Sequence, residues 1–514
     1  MGLTAGAAVP AIGFASGAQA ASGTVGSSSK SATSSKATDS SLAFDPDSYT
    51  ELTTTITDTT GTAHEVVYHF YKVASYVANP VDATYQSLNV SVPVKIDGTA
   101  VDATCAPILF ANQVGGYMPS SVASATGIGA GGGMGPGGPG GPGGPAPAAD
   151  SAASRQQLAL AAGYVVVEPG ARGRSLVDAG GTYYGTAPAA IVDLKAAVRY
   201  VKFNKGRIPG NVNRIVSSGT SAGGALSSLL GASGDSPIYD TYLRELGAAD
   251  ASDAIFATGA WCPITDLEHA DMAYEWNWGA NALGSGSLVD QTVSKALTTS
   301  YGDYLASLKL TAKGFGALTA RNLDEYLVKT HLEPSATKYL AALSDADRAT
   351  YLATNTFITW SDGRAAFSWA DFLTHVGARK KDTPAFDAFD LSTGENNEFG
   401  TGTTAKRHFT LYSLRHEEGS SARLDSDIPA KLDLMNPMHH LIEDANQNRS
   451  KHWWIRLGTK DSDTALTVAS NLAARLKDLG DDVDTSYYWD AGHGADNDPG
   501  DFIKWIATVS GYRG

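Results

Sequence analysis

A glycine-flanked serine between two apolar stretches most constrains how this chain can fold. Residues 214–218 form an apolar run typical of a buried strand, and residues 222–230 are small and apolar, as in a buried helix. Between them, Gly219-Thr-Ser-Ala-Gly223 matches the G-x-S-x-G turn that lifts a serine hydroxyl clear of a sheet. Such a turn is strained and leaves no room for side chains beside the serine. We therefore predict that Ser221 is a nucleophile. The alternative is a turn without chemistry, since the chain has 56 glycines.

Strand-like and helical stretches alternate on both sides of this turn. Buried strands are predicted at 107–117, 163–168, 253–260, 452–457 and 485–489, and helices at 156–162, 189–203, 464–479 and 501–509. Three earlier runs with alternating polarity predict antiparallel strands at one sheet edge: 52–57, 65–74 and 88–94. The alternation is typical of an α/β fold with a doubly wound, mostly parallel sheet.

Shifts in composition predict the domain organisation. Gly, Pro and Ala dominate one stretch, which indicates a flexible surface insertion, and a later stretch rich in helix signals, aromatic residues and charges indicates a lid. The predicted units are a possible signal-peptide remnant (1–20), a Ser/Thr-rich linker (21–45), the first part of the core (46–265, with the Gly/Pro-rich segment 127–147), a helix-rich lid (266–432) and the second part of the core (433–514).

The charge balance narrows the range of partners. Lys and Arg number 38 against 53 Asp and Glu, a net charge of −15, which argues against nucleic acid or an anionic membrane surface. No stretch is long and apolar enough to span a bilayer. We therefore expect a small-molecule partner and assume a monomer.

The N-terminal residues favour export. Residues 1–20 are small and apolar, and Ala18-Gln-Ala-Ala21 resembles a signal cleavage site, although the first basic residue is Lys30. An extracellular or cell-surface location is therefore expected, with the cytoplasm as the alternative.

Several polar and reactive residues receive structural interpretations. The two cysteines, Cys105 and Cys262, lie in apolar contexts and are predicted to be buried free thiols. Asp496, Asp498 and Asp501 form an acidic turn that lacks EF-hand spacing, so a solvated turn is favoured over a calcium site. An anion site is considered for the arginines that follow the 163–168 strand, but pairing with the acidic surface is expected. These arginines are Arg172 and Arg174.

A serine nucleophile needs a base, and the base needs an orienting carboxylate. With a nucleophile turn of this kind, these partners follow in the order Ser, Asp or Glu, then His, each in a loop after a strand. Of the eleven histidines, only His493 lies in a glycine-flanked loop just after a late strand. Asp461 follows the preceding strand, with Asp463 as its rival; either could instead cap the helix before Ala465.

An oxyanion hole requires two backbone donors. The amide of Ala222, directly after the serine, is one candidate. The other is expected from the loop after the 107–117 strand, at Gly115 or Gly116, where glycine lets the backbone approach a substrate. A simple turn is the alternative for this pair.

These features together resemble the bacterial tannases, tannin acylhydrolases of the α/β-hydrolase superfamily. The resemblance covers residues 49 to the C-terminus. It is carried by Gly219–Gly223, Lys381-Asp-Thr-Pro-Ala-Phe-Asp-Ala-Phe-Asp390, Glu395-Asn-Asn-Glu-Phe-Gly400, Gly458-Thr-Lys-Asp-Ser-Asp463 and Gly492-His-Gly494. The Gly/Pro-rich segment and the Ser/Thr-rich N-terminus depart from this pattern. The Cys-Ser and His-Cys pairing of the fungal tannase and feruloyl esterase group is absent, since Thr220 precedes the serine and Gly492 precedes the histidine.

The resemblance implies a function and a set of site residues. It implies that Ser221, Asp461 and His493 form a catalytic triad and that no metal or cofactor takes part. It also implies that a galloyl group's three adjacent hydroxyls are bound by Lys381, Glu395 and Asp463. Buried phenols must regain the hydrogen bonds that they lose to water, so a charged pocket of this kind suits them.

Other functions remain open on the sequence alone. The nearest is a carboxylesterase for another aromatic acyl group, such as ferulate. A peptidase of the same fold would be accompanied by propeller-like repeats, and none is present in the sequence. A non-catalytic surface-binding protein on a hydrolase scaffold is the alternative from another class.

Overall fold

The computed structural model describes residues 41–129, 153–442 and 445–513. The predicted signal-peptide remnant, nearly all of the predicted linker and most of the Gly/Pro-rich segment lie outside these ranges. Within them, no helix combines the length and the apolar character needed to cross a membrane.

A ten-stranded sheet forms the centre of the molecule, in the order β1-β2-β3-β6-β5-β7-β8-β13-β14, with β4 paired to β3. The strands, including four short ones outside this sheet, are β1 Thr50–Thr57, β2 Ala63–Val73, β3 Leu88–Ile96, β4 Thr99–Ala100, β5 Ile108–Ala111, β6 Val165–Pro169, β7 Ile215–Thr220, β8 Ala257–Trp261, β9 Thr311–Ala312, β10 Gly316–Ala317, β11 Thr359–Ser361, β12 Arg364–Ala366, β13 His452–Gly458 and β14 Asp482–Tyr488.

The pairing of neighbouring strands changes once across the sheet, from antiparallel to parallel. β1, β2 and β3 pair antiparallel, and β3 also pairs antiparallel with β6. From β6 to β14 each neighbouring pair is parallel. The central strands β5 to β8 are apolar and buried almost throughout, as strands covered by helices on both faces must be. The prediction of a doubly wound, mostly parallel α/β sheet with an antiparallel edge is confirmed.

Helices cover both faces of the sheet and fill the segment between β8 and β13. They are α1 Arg155–Ala161, α2 Ala189–Phe203, α3 Ala222–Ala232, α4 Asp240–Glu245, α5 Leu267–Trp278, α6 Gln291–Leu308, α7 Leu323–Leu327, α8 Glu333–Ala342, α9 Asp345–Thr354, α10 Trp369–Val376, α11 Gly394–Glu398, α12 Leu411–Glu418, α13 Ile428–Met435, α14 Leu466–Asp478 and α15 Pro499–Ser510. A π-helical turn at Val328–Leu332 links α7 to α8.

The predicted lid, residues 266–432, contributes no strand to the central sheet within the described residues. It holds α5 to α12, part of α13 and two small two-stranded sheets, β9/β10 and β11/β12. We refer to it below as the 266–432 segment. The segment enters after β8 and leaves before β13, and these two strands are direct neighbours in the sheet. The 266–432 segment is therefore a long insertion between two strands that are neighbours in the sheet.

Three predictions of local structure were wrong in detail. The strand predicted at 107–117 ends at Ala111, where the polar Asn112 begins a loop. The strand predicted from Asp253 begins only at Ala257, because Asp253 is buried in ion pairs with Lys195 (2.6 Å) and Arg199 (2.8 Å).

Cys105 is exposed and was wrongly predicted as buried, whereas Cys262 is buried as predicted. Cys105 ends a short 3-10 turn in which Ala103 faces inward. The neighbouring Ala106 is buried as well, so that the thiol between these alanines faces outward.

Candidate active site

The G-x-S-x-G motif forms a tight turn between β7 and α3. Ser221 adopts φ 62° and ψ −124°, a strained conformation for a residue with a side chain. A Cβ atom on Gly219 would lie 2.2 Å from the carbonyl oxygen of Gly223. A Cβ atom on Gly223 would lie 2.7 Å from the carbonyl oxygen of Val114. Glycine is therefore required on both sides of the serine, as the sequence predicted.

Ser221, His493 and Asp461 lie in one hydrogen-bonded line at the carboxyl ends of the parallel strands. The Oγ atom of Ser221 lies 2.9 Å from Nε2 of His493. The other ring nitrogen, Nδ1, lies 2.8 Å and 3.0 Å from the two carboxylate oxygens of Asp461. Asp463, the alternative partner, binds Lys380 instead. The three side chains come from loops after β7, β13 and β14.

Asp461 also holds the loop that carries it. One of its oxygens accepts hydrogen bonds from the backbone amides of Asp463 (2.9 Å) and Thr464 (3.3 Å). The carboxylate is fully buried. These bonds shape the loop before α14 but do not cap the helix, whose N-cap residue is Ala465 and receives no side-chain hydrogen bond. The capping alternative for Asp461 was therefore wrong, and its contact with His493 is the one that forms.

The surroundings of His493 favour its protonated form. Burial lowers the pKa of the imidazole, but the hydrogen bonds to Asp461 and the contact with Cys262 outweigh it, so that the pKa lies above its usual value. A carboxylate at Nδ1 stabilises the imidazolium that forms when Nε2 takes a proton from a serine hydroxyl. The arrangement can therefore activate Ser221 as a nucleophile.

The loop after β5 packs directly on the turn that carries Ser221. Asn112 is buried, and its Nδ2 atom donates to the carbonyl oxygens of Ser218 (3.2 Å) and Gly223 (3.1 Å). These bonds fix the start of the loop in which Gly115 and Gly116 lie. Within the described residues, neither glycine amide donates a hydrogen bond. Both are free to meet an oxygen of a substrate.

Arg172 and Arg174 do not pair with the acidic surface, and that prediction was wrong. Arg172 forms a buried ion pair with Asp193 of α2 at 2.8 Å. Arg174 donates through Nε to the carbonyl oxygen of Gly116 at 2.8 Å and through Nη1 to Oδ1 of Asn397 at 3.2 Å. Arg174 thus joins the loop after β5 to helix α11 of the 266–432 segment.

Of the three residues expected to bind phenol hydroxyls, Lys381 is linked through Tyr274 to Ser462, the residue before Asp463. The Tyr274 hydroxyl accepts from the backbone amide of Lys381 (3.2 Å) and donates to the carbonyl oxygen of Ser462 (2.8 Å). The Lys381 ammonium lies 3.5 Å from the ring centre of Phe386. The ammonium that contacts Asp463 is that of Lys380, at 2.7 Å.

The charges around Asp463 keep it ionised. Burial raises the pKa of this carboxyl, but the hydrogen bond from Lys380 and the nearby charges of His493 and Lys381 lower it further than burial raises it. A carboxylate in this position can accept hydrogen bonds from a ligand.

Glu395, the third expected residue, lies in the first turn of α11. Its side chain makes no hydrogen bond or ion pair within the described residues. Burial, followed by the charges of Glu398 and Glu395, raises the pKa of Tyr117, which adjoins Gly116 in the chain. Glu395 therefore faces the loop after β5 and is free to accept from a ligand.

Solved structures of tannases resemble this chain along most of its length. The tannase of Fusobacterium nucleatum has 36% sequence identity and a TM-score of 0.75, over 91% of this chain and 99% of that one. The chain belongs to the tannase family. A tannin acyl hydrolase from Lactobacillus plantarum, with 35% identity and a TM-score of 0.74, covers the same shares of both chains.

Two further comparisons concern ligands and sequence families. A tannin acyl hydrolase solved in complex with ethyl gallate has 36% identity and a TM-score of 0.75, over 91% of this chain and 99% of that one. Residues 148–301 match the family model described as BD-FAE. No curated protein sequence matches the chain. The family membership and the fold identify this protein as an ester hydrolase with the α/β-hydrolase fold.

In this tannase, the loop that carries His493 is anchored by Asp490. The Asp490 carboxylate accepts from Nε2 of His375 (2.6 Å), the hydroxyl of Tyr351 (2.5 Å) and Nζ of Lys460 (3.0 Å). His375 and Tyr351 belong to α10 and α9 of the 266–432 segment. Burial raises the pKa of Asp490, but these three hydrogen bonds lower it to about 2. The segment thus supports the loop on which the candidate base lies.

The prediction of a solvated acidic turn was wrong for Asp496 and Asp498, which are paired, whereas Asp501 is exposed as predicted. Asp496 accepts from Nε1 of Trp261 at 3.0 Å and lies 3.4 Å from Arg155. Asp498 lies 3.1 Å from Arg456. Arginine side chains balance these carboxylates, and the turn is tied to the central sheet.

Proposed function

We propose that this tannase-family protein hydrolyses galloyl esters through a covalent acyl-enzyme formed on Ser221. The observation that carries the proposal is the hydrogen-bonded line from Asp461 through His493 to Ser221. A serine hydroxyl is a weak nucleophile near neutral pH, and a neutral imidazole within hydrogen-bond reach is the group that activates it.

In the first half of the reaction, the Ser221 oxygen attacks the ester carbonyl carbon while His493 takes the serine proton at Nε2. The tetrahedral oxyanion is stabilised by the amide of Ala222 and by that of Gly115 or Gly116. Collapse breaks the bond to the alcohol, which leaves with the proton from His493.

In the second half, water attacks the acyl carbon and gives a proton to His493. Collapse of the second tetrahedral intermediate releases gallic acid and returns the proton to Ser221. Asp461 keeps Nδ1 protonated throughout, so that Nε2 is always the nitrogen that exchanges the proton.

The charged residues beside the triad support a galloyl group as the acyl part. Phenol hydroxyls donate well to carboxylates, and the side chains of Asp463 and Glu395 supply two such carboxylates. Lys381 can donate to a phenol oxygen and stabilise a phenolate. A buried hydroxyl without a partner costs about 1–3 kcal/mol, so an acyl group lacking these hydroxyls would bind less well.

We also propose that the 266–432 segment acts as a lid over the acyl group. The support is that the segment carries Lys381 and Glu395 and contacts the catalytic loops at two places. Tyr274 contacts the loop after β13, and His375 contacts the loop after β14. Exclusion of water by such a cover strengthens the charge–phenol contacts within the site.

The test is the release of gallic acid from methyl gallate. We expect the wild-type protein to be active, Ser221→Ala to be inactive, and Asp461→Asn to retain a residual rate that is lower by about 10^4-fold. Equal rates for Ser221→Ala and wild type would overturn the proposed nucleophile.

The competing function is a feruloyl esterase that uses the same mechanism. The observation that supports considering it is the match of residues 148–301 to the BD-FAE family model. Rates on methyl gallate, methyl ferulate and p-nitrophenyl acetate separate the two. Faster hydrolysis of the ferulate ester would contradict the galloyl assignment while leaving the triad in place.

A further inference from the structure

A buried thiol lies beside the base of the proposed triad. Cys262 directly follows β8, and its Sγ atom is 4.0 Å from Nε2 of His493, the nitrogen that also contacts Ser221. Ligand atoms of Cys262, Asp461 and His493 all lie within 4.8 Å of one another. The mechanism described above gives this thiol no role.

The spacing of the thiol and the imidazole suits one metal ion. Zinc binds a cysteine sulfur at about 2.3 Å and a histidine nitrogen at about 2.0–2.1 Å. At the tetrahedral angle that zinc prefers, these bonds place the sulfur and the nitrogen about 3.5–3.6 Å apart, slightly less than the observed 4.0 Å separation of Sγ and Nε2. An ion between the two atoms would therefore make both bonds with a small movement.

Asp461 prepares His493 for this role. A carboxylate at Nδ1 fixes the tautomer in which Nε2 carries a free lone pair, and metal-bound histidines commonly have such a carboxylate behind them. The contact that orients the imidazole for catalysis is therefore the contact that a metal ligand needs. The Ser221 hydroxyl and water are available to complete a four-coordinate shell.

We propose that Cys262 and His493 form an inhibitory site for a thiophilic divalent cation of the Zn²⁺ class. Binding releases the thiol proton and the Nε2 proton of the imidazolium to solvent and places the cation on the Nε2 lone pair. Nε2 then cannot accept the proton of Ser221. The inhibition rests on the proposed function, whereas the binding itself does not.

The ligand types set the selectivity of the site. Thiolate and imidazole ligands favour Zn²⁺ and related transition metals, while Mg²⁺ and Ca²⁺ prefer oxygen ligands. The second cysteine supplies a matched control. Cys105 is exposed and lies before β5, at the end of the parallel strands opposite to Ser221.

The first experiment measures inhibition of methyl gallate hydrolysis by Zn²⁺ and by Mg²⁺. Each variant is compared with its own metal-free rate. We expect Zn²⁺ to inhibit wild type and Cys105→Ser equally, Cys262→Ala to need at least about tenfold more Zn²⁺, because it loses a ligand, and Mg²⁺ to have no effect. Inhibition of Cys262→Ala at the wild-type Zn²⁺ concentration would overturn the proposal.

The second experiment reports binding without turnover. Co²⁺ bound to a thiolate gives a near-ultraviolet charge-transfer band, so titration with Co²⁺ detects the Cys262–metal bond directly. We expect the band in wild type and Cys105→Ser and its loss in Cys262→Ala. Wild-type protein without the band would overturn the site even if Cys262→Ala failed to fold. A band in protein that does not hydrolyse gallate esters would uphold the site and reject the proposed function.

Discussion

Arg174 holds the two peptide groups that flank Tyr117. Its Nε atom donates to the carbonyl oxygen of Gly116 at 2.8 Å, and its backbone amide donates to the carbonyl oxygen of Tyr117 at 2.9 Å. Both Gly116 and Tyr117 have a positive φ of 55°. This strained stretch therefore depends on contacts from outside itself, and Arg174 supplies two of them.

Arg174→Ala is expected to lower kcat more than it raises KM. Loss of the guanidinium frees the peptide that orients a proposed oxyanion donor, and loss of one such donor costs about 10^2- to 10^3-fold in kcat. We expect a smaller loss, of about tenfold, because the amide itself remains. Steady-state kinetics on methyl gallate measure the effect.

Two further variants make the Arg174 result interpretable. Arg174→Lys should recover part of the rate, since an ammonium can still donate to the Gly116 carbonyl. Arg321→Ala removes an exposed arginine far along the chain in the 266–432 segment and should leave kcat unchanged. An unchanged kcat in Arg174→Ala would reject the positioning role.

Neighbouring lysines are expected to differ in their effect on substrate choice. Lys381→Ala should lower kcat/KM for methyl gallate by about 10- to 100-fold, since a hydrogen bond to a charged group contributes about 1.5–3 kcal/mol. The rate on p-nitrophenyl acetate should change little, because acetate has no phenol to contact. Competition between the two esters measures the ratio directly.

Lys380→Ala is the matched control for Lys381→Ala. Its side chain is 60% exposed and pairs with Asp463, and exposed pairs contribute about 0–1 kcal/mol. Because Lys380 also helps to keep Asp463 ionised, its loss should slow methyl gallate hydrolysis by less than the loss of Lys381 and should leave p-nitrophenyl acetate hydrolysis unchanged. If Lys381→Ala slowed both esters equally, the assignment of Lys381 to the phenol hydroxyls would be wrong.

Gly223→Ala is expected to lower both stability and activity. Its Cβ atom would lie 2.6 Å from Oδ1 of Asn112 and 2.7 Å from the carbonyl oxygen of Val114, so the loop after β5 must move. Such overpacking costs about 1–3 kcal/mol. Gly284→Ala, which meets no atom within 4 Å, should leave the melting temperature unchanged. Thermal unfolding compares the two, and equal melting temperatures would contradict the required close approach.

Asp490 is expected to make stability depend on acid pH. Its pKa is lowered to about 2 from 3.8, so the ionised form stabilises the fold above about pH 4, and this contribution is lost as the pH falls toward 2. After a discount for partial exposure, the contribution is about 1 kcal/mol.

The comparison of wild type with Asp490→Asn isolates this effect. Urea unfolding at pH 6 should show the variant to be less stable by about 1 kcal/mol. At the lowest pH at which both proteins remain folded, the difference should shrink. A difference that stayed constant with pH would show that Asp490 contributes through shape and not through charge.

The sequence predicted the features that a few neighbouring residues determine. The turn at Ser221 needs only two glycines and the flanking strand and helix, and it forms as expected. The position of His493 after a late strand indicates it as the base, because loops at one edge of a parallel sheet converge. Position alone leaves Asp461 and Asp463 as rivals, and the resemblance to tannases implies Asp461. Helix α2 has the predicted bounds, 189–203.

Contacts between residues far apart in the chain could not be predicted from the sequence. Nothing near Asn112 indicates that its amide would bond Gly223, and nothing near Arg174 indicates Gly116 as its partner. Cys262 has an apolar context whether or not a histidine approaches it. Such contacts depend on how whole elements pack, which local patterns do not specify.

The 266–432 segment separates Ser221 from Asp461 and His493 along the chain, and this order matters during biosynthesis. Ser221, the proposed nucleophile, is translated early, whereas Asp461 and His493 are translated late. A ribosome must deliver the last strand and the loop beyond it before the imidazole reaches the hydroxyl. Translation products that end before residue 493 lack the proposed base, and we therefore expect them to be inert toward esters.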